Sequence, residues 1–247
     1  MNKYLMMIMF LCIFLTSCQT APVIDSANSM KANETKMINS LRYCKQVFSK
    51  GTGLPIDETV WYFDIAAGPR IGLDDYWEVG GVAGLGLSYL GGDIKRELFN
   101  VGGFYTSVDL NLILHIQYFQ YGFLLLSTLE IPDSFNITAE VGICSVNGFN
   151  SKNYAGGDRM PTYFLPVSAA YFDAGIIVTH KVGEMSDKYE TDTSATSKTI
   201  ETKYDILLGI SLMYRKEISD WKLDSFIPGL LITYHAANNR IFNNPPK

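Results

Sequence analysis

Residues Phe104-Tyr105-Thr106-Ser107-Val108-Asp109-Leu110-Asn111-Leu112-Ile113-Leu114-His115-Ile116-Gln117-Tyr118 alternate in chemistry over most of their length. Phe104, Val108, Leu110, Leu112, Leu114, Ile116 and Tyr118, with Thr106, fall on one side. Tyr105, Ser107, Asp109, Asn111, Ile113, His115 and Gln117 fall on the other. A period of two places successive side chains on opposite faces and reads as an extended strand. The same alternation recurs at 204–214, where Tyr204, Ile206, Leu208, Ile210, Leu212 and Tyr214 oppose Asp205, Gly209, Ser211 and Met213. It recurs again at 221–235 through Phe226, Leu230, Ile232 and Tyr234. Working outward predicts eight strands, at 60–72, 77–90, 101–118, 120–131, 136–147, 163–179, 204–214 and 221–235. No helical pattern intervenes between them, so the fold class is all-β, an antiparallel barrel of about eight strands.

Composition narrows the class. The 247 residues are 47% hydrophobic and only 18% charged, with 20 Lys+Arg against 25 Asp+Glu. Low charge without low hydrophobicity excludes a disordered chain, and an acidic balance argues against nucleic acid as a partner. The eight strands carry ten charged residues, about half the chain average, and the charge collects between them, as at 92–97 and 184–201. Their polar faces carry Ser, Asn, Gln, Tyr and Gly where a soluble barrel would present Lys and Glu to water. In that pattern residues 51–247 resemble small outer-membrane barrels, whose apolar face meets lipid and whose tyrosines form interfacial girdles. Tyr89, Tyr118, Tyr163, Tyr214 and Tyr234 stand near predicted strand ends.

The N-terminus adds an address. Lys3 precedes an apolar run from Tyr4 to Leu15, too short to span a bilayer and the right length for a secretory signal. The run ends in Leu15-Thr16-Ser17-Cys18, which resembles the lipobox of bacterial lipoproteins. That resemblance implies a signal peptide at 1–17, cleavage after Ser17, and acylation of Cys18, with membrane lipid the partner of the acylated residue. Gln19 in place of Asp implies sorting to the outer membrane. Two or more acyl chains hold a protein on a bilayer stably, because each buried methylene contributes ~0.8 kcal/mol.

Residues 18–28 then read as a lipidated tether and 29–50 as a helix, because Met37, Leu41, Cys44 and Phe48 recur at helical spacing ahead of Gly51 and Gly53. Of the four cysteines, Cys44 and Cys144 remain for the folded part. In an oxidising compartment they are a possible disulfide; the other reading is two buried thiols, since free cysteine packs as a small hydrophobe.

Candidate chemistry is sparse. His115, His180 and His235 form no metal-binding spacing, and nothing calls for a cofactor. Ser107, Asp109, Asn111 and His115 alternate toward one side, but Ser107 and His115 stand eight residues apart, roughly 26 Å at ~3.3 Å per residue. Known outer-membrane lipid hydrolases carry His-x-Ser on one strand; here Gln117 stands at the serine position. Gly80-Gly81-Val82-Ala83-Gly84-Leu85-Gly86 lacks the Lys-Ser/Thr ending of a phosphate loop and reads as thin, curved strand. Asn33 and Asn136 fit a glycosylation pattern that belongs to a different secretory system. Trp61-Tyr62-Phe63-Asp64-Ile65-Ala66 is faintly similar to the opening of bacterial lipocalins, with one extra residue before Ile65 and Thr59 where that family has glycine.

The sequence therefore predicts an outer-membrane lipoprotein, a non-enzymatic barrel of structural or surface role. A lipid-anchored soluble barrel for an apolar ligand is the alternative, and a barrel enzyme acting on membrane lipids a weaker one. Two features pull against a membrane-spanning barrel. Pro69, Pro166 and Pro228 lie inside predicted strands. The short connections at 73–76 and 218–220 also fail to alternate with the long ones at 91–100, 148–162 and 180–203, which puts the first short one on the wrong side.

Overall fold

A computed structural model describes residues 26–47, 59–85, 89–115, 118–132, 135–148, 169–193, 196–218 and 224–243. Residues 1–17, where a signal peptide is expected, Cys18 and Pro166 lie outside them. Ten strands form one closed antiparallel barrel in chain order: β1 (Thr35–Val47), β2 (Thr59–Gly72), β3 (Trp77–Gly84), β4 (Tyr89–Val101), β5 (Phe104–His115), β6 (Tyr118–Ile131), β7 (Phe135–Gly148), β8 (Ala169–Thr193), β9 (Thr196–Glu217) and β10 (Asp224–Asn243). Closure is made by β1, which pairs with β2 from Thr35↔Ile71 to Val47↔Thr59 and with β10 from Thr35↔Ala236 to Arg42↔Gly229.

The count corrects the expected eight. The helix expected over 29–50 is replaced by β1, whose alternation the apolar stripe concealed. Lys36, Ile38, Ser40, Arg42 and Cys44 are buried while Met37, Leu41 and Tyr43 are exposed. Met37 and Cys44 thus lie on opposite faces instead of one. The barrel starts at Thr35 and not at residue 51. The second addition is β4, whose Asp93-Ile94-Lys95-Arg96-Glu97 had the charge of a loop. Lys95 and Glu97 are buried while Ile94 and Arg96 are exposed, so Asp93, Lys95 and Glu97 line the interior and Arg96 faces outward. Tether residues 26–28 are also part of the folded body, with Ser26 and Ala27 buried.

Adding β1 and β4 resolves the parity problem. The start of β1 and the end of β10 share one end of the barrel, here the terminal end. The connections there span 73–76, 102–103, 132–134 and 194–195, all short. The longest ones, 48–58 and 149–168, belong to the opposite end. Gly102 and Gly103, at φ 58° and 85°, join β4 to β5 as a two-residue turn with both central residues left-handed, the geometry that suits the twist of a hairpin.

The prolines fit as well. The β2–β3 pairing runs Ala66↔Gly84, Ala67↔Ala83 and resumes at Arg70↔Gly80, leaving a gap where Pro69 cannot donate. Pro228 lies one residue beyond the last β1–β10 pair, Arg42↔Gly229. Pairing of β8 with β7 stops at Phe135↔His180 and of β10 with β1 at Thr35↔Ala236. Pairing of β8 with β9 continues to Thr193↔Thr196, so three strands project beyond the rest at the terminal end.

Candidate functional site: a charged, layered lumen

The barrel is polar inside and apolar outside. Along β5, Ser107, Asp109, Asn111, Ile113 and His115 are buried, while Leu110, Leu112 and Leu114 are exposed. Leu208, Ile210 and Leu212 of β9 and Leu230 and Ile232 of β10 are exposed in the same way. Aromatic pairs mark both margins of this apolar belt. Tyr43–Phe63 and Tyr214–Phe226, each with ring centroids 5.1 Å apart, lie toward the opposite end; Phe99–Phe104, at 6.0 Å, lies toward the terminal end. Outside the belt charges return: Lys181 pairs with Glu184 at 2.6 Å and Asp205 at 2.9 Å.

Within the lumen, side chains stack in three layers. Nearest the terminal end, the guanidinium of Arg70 holds Glu78 through Nε and Asp93 through both terminal nitrogens, with Asp109 3.8 Å away. Lys95 Nζ reaches Glu78 Oε2 at 3.0 Å. Gly80 makes this possible: a β-carbon there would strike Asp93 and the Arg70 guanidinium. The middle layer is apolar, built from Ile38, Ala66, Val82, Tyr89, Ile113, Ile177 and Leu231. The layer beyond is charged again. Arg42 pairs with Asp64 at 2.6 Å, Tyr89 donates its hydroxyl to Asp64 at 2.9 Å, and Arg215 makes two bonds of 2.7 Å to Asp173.

Buried charge is stable only when paired and hydrogen-bonded, and these strands meet that condition by facing opposite charges across neighbouring strands. Thr128 and Thr138 add a neutral bond of 2.8 Å between β6 and β7. An apolar layer between two ion-pair layers fills the bore with side chains.

The residues singled out in the sequence are not gathered into one centre. Ser107 and His115 both face inward, eight residues apart on β5 and on either side of the apolar layer. His180 is exposed on β8, and His235 Nε2 lies 3.4 Å from Glu34 Oε2 at the terminal end. Among the described residues no group of three or more His, Cys, Asp or Glu has metal-binding geometry. Cys44 and Cys144 form no disulfide and are buried in separate clusters, Cys44 with Met213 and Ile227, and Cys144 with Val146 and Tyr171. No bridge joins them in the structure. Asn33 sits at φ 66° in a tight turn, and Asn136 lies within β7.

No protein family and no curated protein matches the chain. Among solved structures it is similar to an outer membrane channel from Pseudomonas putida F1, at 8% identity over 91% of this chain and 100% of that one, with a TM-score of 0.36. It is also similar to the NanC porin, at 6% identity over 83% and 100% with a TM-score of 0.40. A third is the beta domain of the Bordetella autotransporter Brka, at 13% identity over 83% and 100%, also 0.40.

Proposed function

We propose that this chain is an outer-membrane lipoprotein whose barrel spans the bilayer and serves a non-enzymatic structural or surface role. One observation carries the reading: charged side chains are buried inside the barrel while leucine, isoleucine and phenylalanine cover its outside. A soluble barrel that carries an apolar ligand needs the reverse, an apolar bore and a polar surface.

Dimensions agree with a membrane. From Tyr204 to Tyr214 on β9 is ten residue steps, about 34 Å of strand at ~3.4 Å per residue. At a tilt of about 40° this rises about 26 Å, close to the ~25 Å apolar band of outer-membrane barrels. A closed barrel also satisfies every ladder group without a free edge inside lipid. Short connections at the terminal end support a periplasmic position for that end, the side on which such barrels keep their tight turns. There the acyl chains of Cys18 would enter the adjacent leaflet. With its bore filled by side chains, the barrel is a scaffold that displays its outer loops, not an open pore.

The test is a Cys18→Ser variant, which separates the anchor from the barrel. The protein should then remain in the membrane through washing with salt and alkali, and should require detergent for extraction. Release as a soluble monomer without detergent would overturn the reading and favour the ligand-carrying alternative. Metabolic labelling of the wild type with a radioactive fatty acid, absent from the variant, tests the lipobox separately.

A further inference from the structure

The chain that precedes β1 does not leave the barrel directly. It reverses at a turn, with Glu34 N–H donating to the Lys31 carbonyl at 3.0 Å, and then crosses the terminal mouth from β2 toward β6. Five successive residues are fixed there by the wall. Lys95 Nζ donates to the carbonyls of Ser26 and Asn28, both at 3.0 Å. The amide of Ala27 donates to Thr128 Oγ1 at 2.7 Å, that of Ser29 to Glu97 Oε2 at 3.0 Å, and that of Met30 to Glu78 Oε2 at 3.2 Å. Gly72 accommodates the crossing, because a β-carbon there would fall against the carbonyl oxygens of Met30 and Lys31.

Each of these contacts is made to a main-chain atom. The Ser29 hydroxyl, donating to the Tyr76 carbonyl at 3.3 Å, adds a side-chain hydrogen bond, and Ala27 and Met30 are buried, Ala27 in a cluster with Leu124 and Leu126. Two carbonyls and three amides of one segment are met by an ammonium, two carboxylates and a hydroxyl set into three strands, β3, β4 and β6. Such an arrangement recognises a peptide by its backbone, much as sheet edges do, but with side-chain partners. We propose that the terminal mouth of the barrel is a peptide-binding site that reads main-chain atoms, with Ser26–Met30 of this chain as its resident ligand. The ligand class is a peptide with free amides where Ala27, Ser29 and Met30 stand and with small or apolar side chains where Ala27 and Met30 are buried. The inference does not depend on the barrel spanning a membrane.

Hydrogen exchange on the full-length protein in detergent tests the resident state. The amides of Ala27, Ser29 and Met30 should be protected, and Thr128→Val should speed exchange at Ala27 by about 10- to 100-fold, the loss implied by one buried bond. Free exchange of these amides in the wild type would overturn the proposal. A second arm uses the full chain carrying Ala27→Pro, Ser29→Pro and Met30→Pro, which removes the three donors and vacates the site. A fluorescent peptide of residues 25–32 should bind this variant and not the wild type. A peptide with proline at the three donor positions should not bind. Equal binding to variant and wild type, or binding of the proline-substituted peptide, would also overturn it. These outcomes are distinct from detergent extraction of Cys18→Ser, so either proposal can fail alone.

Discussion

Arg215 on β9 and Asp173 on β8 meet side-on inside the barrel, with Nε to Oδ1 and Nη2 to Oδ2 both at 2.7 Å. The two residues are directly paired across the β8–β9 ladder. The carboxylate also accepts from Cys144 Sγ at 3.5 Å, and the guanidinium lies over the Tyr171 ring at 5.6 Å. Both partners are buried. A bidentate pair of this kind has directional bonds that a lysine could not reproduce. Truncating one partner strands the other in the lumen. Arg215→Met should therefore destabilise the folded barrel by about 3–5 kcal/mol in urea unfolding into detergent or lipid. Adding Asp173→Leu to that variant should recover most of the loss, because the unpaired carboxylate and not the missing attraction dominates the cost. A double variant no more stable than Arg215→Met would refute the pairing as described.

That ion pair also shows why part of this fold was legible in the sequence and part was not. Where the inward face is polar but mostly uncharged, as on β5, the two-residue period was plain and both faces were assigned as the structure has them. Asp64, Arg70, Glu78, Asp109, Glu140 and Asp173, sparse charges in predicted strands, all point into the lumen. The rule that charge belongs in loops fails once opposite charges pair inside a bore. Hence β4, with Asp93, Lys95 and Glu97, was read as a loop. In β1, inward Ile38 and Cys44 interrupt the polar face, so its apolar residues fell by chance on a helical stripe. The segment Ser26–Met30 gives little signal because most of its hydrogen bonds run through backbone atoms, which side-chain chemistry does not report.

The β4–β5 turn separates conformational cost from crowding. A β-carbon on Gly102 would meet nothing within 4 Å, whereas on Gly103 it would lie 3.2 Å from the Glu130 carbonyl oxygen. Gly102→Val should cost about 1–2 kcal/mol through its left-handed backbone alone, and Gly102→Asn much less, because asparagine tolerates that region. Equal losses for the two substitutions, measured by urea unfolding, would show that φ at this position is not the cause.

Cys44 and Cys144 give a chemical check on the interior. Neither is bridged and both are buried, in clusters on different parts of the wall. A thiol reagent should label neither in the folded protein and both after unfolding without reductant. Intact mass should not change on reduction. A gain of two mass units on reduction, with no labelling before it, would mean that the two strands approach far more closely than β1 and β7 do here.

The outward face offers the sharpest discrimination, because water and lipid make opposite demands on it. Ile210 on β9 is 61% exposed and Leu110 on β5 is 55% exposed, each near mid-belt. In a soluble barrel, exchanging an exposed leucine or isoleucine for arginine would move stability by no more than about 0.5 kcal/mol, since the charge would be hydrated. In a bilayer the same arginine sits in hydrocarbon and costs about 2–4 kcal/mol at mid-depth, falling to ~0–1 kcal/mol near the interfaces. A scan of arginine along β9, from Tyr204 through Leu208, Ile210 and Leu212 to Tyr214, should therefore give a peaked profile when refolding is measured into lipid vesicles. Its maximum should fall near Ile210, with the two tyrosines at the shallow margins. A flat profile would place the belt in water, and the aromatic rows at its margins would then need another explanation. The profile also locates the belt along the strand. A maximum displaced toward Lys203 would move the terminal mouth, with its bound segment, into the bilayer, whereas the charges at Lys181, Glu184 and Asp205 require that margin to be wet.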